Sequence, residues 1–198
     1  MTKHFEFTDE TLFDSGIILR RIRATRNIPI YGVETGDLGG WIEREENLSD
    51  SGWVYEDARV YGDAMVYGDA MVYEDALVYG SAKVYGSARV FGDARVFESA
   101  LVYGDAEVYG SAYVHGNAQV YGYAEVYGSA KVYGSARVFG DARVFESAQV
   151  YGDAQVYEDA LVYEGAKVYG DAKVYGRARV FRNSVISGST HVTLDLRS

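Results

Sequence analysis

The chain has 198 residues, a formal net charge of −10, no cysteine and a single proline. The length suits one domain, the lack of cysteine removes disulfides and thiol chemistry, and the acidity argues against nucleic acid, whose phosphates need a basic patch. No apolar run is long enough to span a membrane, and Met1-Thr2-Lys3-His4-Phe5-Glu6 lacks the pattern of a secretory leader, so a soluble cytoplasmic protein is expected, with neither nucleic acid nor membrane among its partners.

Residues 1–47 carry no regular repeat. Phe5-Glu6-Phe7 and residues 17–23 read as strands, and residues 28–33 as a third, edge-like strand because of Pro29. Gly36-Asp37-Leu38-Gly39-Gly40 reads as a turn leading into a strand that holds Trp41 and Ile42. This segment is expected to be an N-terminal β cap, anchored by Trp41 and Trp53, over the rest of the chain.

From Leu48 to Val192 the chain repeats one six-residue phrase: valine, an aromatic, Gly or Glu, Asp or Ser, alanine, then a free position. Valine recurs at every sixth residue from Val54 to Val180 without a failure, and Ile186 and Val192 keep the register. A period of six excludes an α-helix, whose apolar residues recur at 3.6. The free residue, Val and the aromatic form a short extended run in which Val points one way and its neighbours the other. The Gly-Asp pair suits a tight bend, because those residues tolerate positive φ. Each unit cannot bury its apolar side alone, so the units must stack.

Val60 followed four places later by Ala64, Val66 by Ala70, and so on, resembles the hexapeptide-repeat, left-handed parallel β-helix family. That resemblance implies an all-β, three-sided solenoid with 18 residues per coil and about eight coils, occupying residues 48–198 with a short C-terminal tail. At a strand spacing of ~4.8 Å the prism would be about 40 Å long. Residues 36–42, with Asn47-Leu48-Ser49 before the first hexads, are also similar to the start of YdcK-type bacterial and phage proteins. This adds a setting but no reaction.

Within the repeats most acids, such as Asp63, Asp141 and Glu158, fall at bends. Most bases, such as Arg59, Lys83 and Arg137, fall at free positions. Cross-coil charge pairing is the plain reading. The stretch from Val78 to Ala100 is identical to that from Val126 to Ala148. The offset is eight hexads, which is not a multiple of three, so in a three-sided coil the second copy faces differently and the hexads are interchangeable. After Phe181 the phrase loosens. The tail is expected either to fold over the last coil or to leave it meeting another molecule.

The hexapeptide resemblance implies that metal-dependent anhydrase and acyltransferase chemistry must be weighed. The only histidines are His4, His115 and His191. The last two stand about four coils apart, too far to share an ion. A general base needs a cleft and an orienting partner, and no insertion interrupts the hexads to build one around His115. The Gly-Gly-x-Gly-x-Asp nonad of calcium-binding repeats is absent, as are the regular Thr-x-Thr rows of an ice-binding face. No catalytic residue, metal or cofactor is therefore expected.

The aromatics are what the fold does not demand. Residues eighteen apart would form three ladders, beginning at Tyr55, Tyr61 and Tyr67, with rings outside the valine core. Stacked rings would stabilise one another, and an aromatic surface can also mark an interaction site. The phrase departs from itself within one coil, at Tyr113, His115, Asn117 and Tyr123, with Tyr121 between them; these five are the candidate ligand- or partner-binding residues. The expected function is a non-enzymatic structural or binding solenoid whose ladders serve self-association, as a homo-oligomer, or binding of another protein. The alternatives are a phage or bacterial factor that sequesters a small molecule or protein, and an acyltransferase-like enzyme with an inter-subunit site at His115.

Overall fold

The computed structural model describes residues 3–193. Met1, Thr2 and residues 194–198 lie outside the described residues; the rest of the tail after Phe181, expected to cover the last coil or to leave it for another molecule, instead continues the winding through Val185–Ile186 and His191–Val192. From Trp53 onward the chain runs through short strands, β4 (Trp53–Val54) to β27 (His191–Val192), shared among three sheets. They make eight coils of three strands. Each strand pairs in parallel with the strands eighteen residues before and after it: Arg95 with Leu77 and Tyr113, Val96 with Val78 and Val114. This is an all-β, three-sided parallel solenoid. Its first face runs from Arg59–Val60 to Val185–Ile186, its second from Trp53–Val54 to Arg179–Val180, and its third from Met65–Val66 to His191–Val192.

The inside of the tube is built from two residue types. Every sixth-residue valine from Val54 to Val180, and every alanine from Ala58 to Ala178, is wholly buried. Each valine contributes about 1.5–3 kcal/mol by leaving water. The small alanine lets the chain turn inward at each corner. Backbone hydrogen bonds tie coil to coil at a constant offset: Leu77 N–H donates to the Ala94 carbonyl at 2.9 Å, and Tyr79 N–H to the Val96 carbonyl at 3.0 Å.

The corners explain why the third position of the phrase takes Gly or Glu. That residue has positive φ in both cases, 72° at Gly116 and 59° at Glu98 and Glu158. A non-glycine residue there costs roughly 1–2 kcal/mol. Glutamate offsets the cost with its carboxylate, which reaches the backbone of the next coil at the same corner. Glu98 Oε2 accepts from Gly116 N–H at 2.6 Å, Glu146 from Glu164 N–H at 3.0 Å, and Glu158 from Gly176 N–H at 2.8 Å. Glutamate is thus a clip between coils, where glycine is only a permissive bend.

The N-terminal segment closes one end of the tube. β1 (Phe5–Asp14) and β2 (Ile17–Ala24) form an antiparallel hairpin. β3 (Leu38–Ile42) pairs antiparallel with β2 and in parallel with Arg59–Val60, so it converts the hairpin into the first face. Gly40 in β3 has no room for a side chain, since a Cβ there would lie 2.7 Å from the Ala58 carbonyl oxygen and from Val54 Cγ1. Ile42 pairs with Val60 and Leu48 bridges Val66, so the eighteen-residue ladder reaches back to Ile42. The buried Asn47 amide donates to the carbonyls of Gly62 at 3.0 Å and Ala64 at 2.8 Å, pinning the entry to the first corner.

Trp53 is fully buried and packs near His4, whose Nε2 lies 2.9 Å from the Gly52 carbonyl oxygen. Burial pushes the His4 pKa below the ordinary histidine value. Trp41 is only half-buried, under the Arg21 guanidinium at 5.5 Å, so the internal anchor is Trp53 alone. Residues 28–33 are not the expected edge strand. Pro29–Tyr31 form a 3-10 turn, closed by a bridge between Ile28 and Val33 and ended by Gly32 at φ 68°. The fixed φ of proline suits the first position of a helical turn as well as an edge strand.

The clip makes a directional prediction about stability. Replacing Glu158 by glycine removes the carboxylate but also the cost of positive φ, and is expected to leave stability within about 0.5 kcal/mol. Glu158→Ala keeps the cost and loses the clip, and is expected to be about 1 kcal/mol or more less stable than Glu158→Gly. Urea midpoints, with hydrogen exchange of the Gly176 amide faster in both variants, check this; an alanine variant as stable as the wild type refutes the clip, and one as stable as the glycine variant refutes the cost of positive φ.

Candidate functional site

Two of the three ladders form as the spacing predicts, and the third forms from its second rung, Tyr73. In the ladder at the end of the first face, Tyr61 stacks on Tyr79 at 5.0 Å between centroids, Tyr79 on Phe97 at 4.9 Å, and the series runs through His115 to Tyr169. In the ladder of the third face, Tyr67 to Tyr175 stack at 4.8–5.0 Å with planes within 5° of parallel. The centroid spacing equals the strand pitch. It exceeds the thickness of a ring, so the rings are slipped in the offset arrangement aromatic pairs prefer. Each pair adds roughly 0.5–1.5 kcal/mol beyond area burial. The rings are half-buried, since each is covered by its neighbours above and below and shows its edge to solvent.

The ladder of the second face differs at its first rung. Tyr73 stacks on Phe91 at 4.7 Å, and the run continues to Phe181. Tyr55 leaves the stack. Its ring meets Trp53 edge-on at 6.2 Å, and its hydroxyl donates to the Tyr31 carbonyl at 3.1 Å. Among the described residues no ring contact joins Tyr55 to Tyr73. A half-open cavity of about 460 Å³ lies at this break, beneath the 3-10 turn, lined by Ile30, Tyr31, Tyr55, Met71, Tyr73 and Arg89 among others. Nothing in the repeat distinguishes Tyr55 from its equivalents. The only sequence signal was its place as first rung beside a proline-bearing loop with its own tyrosine.

The five candidate residues take different places. Tyr113 occupies a free position on the first face, with the Arg95 guanidinium and the Lys131 ammonium each 5.6 Å from its ring centre. His115 is a ladder rung, stacked on Phe97 at 4.7 Å and Tyr133 at 5.1 Å, with Nδ1 3.5 Å from a Glu98 carboxylate oxygen. Asn117 is an exposed corner residue whose backbone N–H donates to the Gly134 carbonyl at 2.7 Å. Tyr121 is a rung of the third-face ladder, between Tyr103 and Phe139. Tyr123 projects from a corner and is 66 % exposed. Tyr113 and His115 therefore share one face, and Tyr121 belongs to the next. None of the five lines the cavity at the cap.

Charge pairing is seen on the second face. Arg89 meets Glu107 at 3.5 Å and Arg143 meets Glu125 at 3.3 Å. These surface pairs contribute up to about 1 kcal/mol each. They also offset the repulsion between the two acids, Glu107 and Glu125, which the register sets side by side with an arginine outside each. The Tyr109 hydroxyl donates to Glu125 Oε2 at 3.1 Å.

Burial raises the pKa of ladder tyrosines including Tyr61, Tyr79, Tyr103 and Tyr133, with neighbouring tyrosines adding to the effect at Tyr61, Tyr103 and Tyr133. At Tyr109 burial comes first and the Glu125 carboxylate second. Folded values above the unfolded one of about 10 mean a stabilisation that is whole below pH ~10 and is lost as pH rises through the raised values. In an alkaline titration tyrosinate absorbance is therefore expected to lag that of free tyrosine and to rise together with loss of the β-sheet dichroism. Ionisation of these rungs at ordinary pH, with the sheet signal intact, contradicts the stacked, desolvated ladder.

The family model of the YdcK beta solenoid repeat matches residues 58–74, 88–104, 136–152, 148–164 and 172–188. No curated relative matches the chain. The five matched stretches begin at Ala58, Ala88, Ala136, Ala148 and Ala172, just ahead of strands on the first, second, third, first and third faces respectively. These parts of the winding are similar to the YdcK repeat whichever face they occupy.

Proposed function

We propose that the chain is a non-catalytic solenoid of the hexapeptide type, wound left-handed, whose work is structural. It self-associates or binds another protein through the sides that carry its aromatic ladders, in the cytoplasm of a bacterium, as a bacterial or phage-encoded protein. The internal copy is the observation that supports this most. Val78 lies on the first face and its copy Val126 on the second; Val84 lies on the third and its copy Val132 on the first. The same side chains therefore meet different partners. Arg95 stands over the Tyr113 ring, whereas its copy Arg143 pairs with Glu125. A function seated on one face would be disrupted by such a rotation, while a scaffold that needs only stacking is indifferent to it.

The acyltransferase alternative needs a cleft beside His115, and that ring is occupied on both faces by its stacking neighbours. Sequestration of a small molecule is favoured by one observation, the cavity at the cap. Light scattering and native mass spectrometry of freshly purified protein test the leading reading. Homo-oligomers or a co-purifying protein are expected. A strict monomer at all concentrations with no bound protein overturns it, as does acetyl-CoA turnover that disappears in His115→Ala.

A further inference from the structure

The cavity at the cap exists because one rung has been drawn out of one ladder. In the first- and third-face ladders the first two rungs are stacked, Tyr61 on Tyr79 and Tyr67 on Tyr85. In the second-face ladder Tyr55 is instead held by Trp53 and the Tyr31 carbonyl, and the face of Tyr73 that turns away from Phe91 has no ring over it among the described residues. The 3-10 turn roofs the gap and supplies a third ring, Tyr31. The Tyr31 hydroxyl is buried without a partner among the described residues.

The lining also has a sign. Glu56 and Asp69 border the cavity with Arg89, and Arg89 is already engaged by Glu107 at 3.5 Å. The ring faces of tyrosine carry negative potential that attracts cations. Three tyrosines, two carboxylates and one already paired guanidinium make a surface that favours positive charge without being polar throughout. The volume of about 460 Å³ falls in the usual range for small-molecule sites.

We propose that this cavity binds a small organic cation, with its ammonium head against the rings of Tyr31, Tyr55 and Tyr73 and its charge balanced by Glu56 and Asp69. The site belongs to the cap, the first two coils and the start of the third in one chain. It stands independently of whether the solenoid self-associates.

Choline is the probe, titrated into the full chain by calorimetry and by NMR, with its uncharged carbon isostere dimethylbutanol as the control. Saturable choline binding is expected, at least about fivefold tighter than the isostere because the cation–ring attraction is absent from the latter. Shifts are expected to be confined to Tyr31, Tyr55, Tyr73 and their neighbours. Tyr73→Phe keeps the ring and is expected to bind within about twofold of the wild type, while Tyr73→Leu weakens binding about tenfold or more. Glu56→Gln preserves the contact to the Glu74 backbone N–H and removes only the charge; with Asp69→Asn it weakens choline severalfold and leaves the isostere unchanged. Should Tyr73→Leu not fold, the charge variants and the isostere decide the matter alone. Equal affinity for choline and isostere, absence of saturable binding, or shifts spread along all three ladders overturns the proposal.

Discussion

Registration governs this fold: each residue of a coil lies beside the residue eighteen positions on, at one strand spacing. Once the backbone bonds fix that offset, like is stacked on like. Valine meets valine inside, aromatic meets aromatic outside, and bend meets bend at the corners. The benefit is additive, because a favourable neighbour contact recurs in every coil. The same rule creates liabilities. It brings Glu107 beside Glu125, and the chain answers with an arginine outside each. It also brings one corner so near the next that a Cβ added at Gly80 would lie 2.9 Å from the Glu98 nitrogen. That closeness is what lets a glutamate at such a corner reach the next coil's backbone N–H.

An endless lattice of this kind has two ends that must be terminated, and the N-terminal end shows how. β3 is shared between two pairing modes, antiparallel to the hairpin and parallel to the solenoid. It tolerates this because Gly39 and Gly40 let its backbone approach the first coil without side chains between. Asn47 then satisfies two carbonyls of the first corner, which in later coils are reached from the preceding coil's backbone. The cap thus imitates a coil with whatever groups it has. Where the imitation fails, at Tyr55, a ladder breaks and a cavity opens.

The same rule decides how much was legible in the sequence. Valine at every sixth position determined which side chains lie inside, and the resemblance to known hexapeptide repeats supplied the eighteen-residue closure; with both, every ladder rung from Tyr61 onward could be assigned its neighbours. Residues 28–33 were misjudged because proline is compatible with both an edge strand and the first position of a 3-10 turn, and no periodicity was present to choose between them. The distinction between Glu and Gly at the corners was invisible because both satisfy the bend; only the geometry reveals that one of them also reaches across to the next coil. The break at Tyr55 depends on Tyr31, twenty-four residues away in a segment without repeat, so no local pattern could announce it. The four departures from the phrase, and Tyr121 between them, are absorbed by the ladders, by cation contacts or by a corner, because a lattice of nearest neighbours can accommodate a single odd member.

The internal copy and the cap together narrow where a specific chemistry can reside. A stretch that has been duplicated out of phase with the faces carries its side chains to new neighbours, so no surface made of repeats alone is guarded. Matches to the YdcK repeat that begin ahead of all three faces say the same of the family pattern. Stacking is preserved through such events and any precise constellation is not. Selectivity for a particular ligand therefore belongs where the chain does not repeat. The junction of the 3-10 turn with the first two coils is such a place, and there the broken ladder leaves aromatic faces open beside the winding. A solenoid of interchangeable units can lengthen or shorten freely under a cap of this kind, because the cavity depends on Tyr31, Tyr55 and Tyr73 and on nothing further along the tube than Arg89, at the start of the third coil.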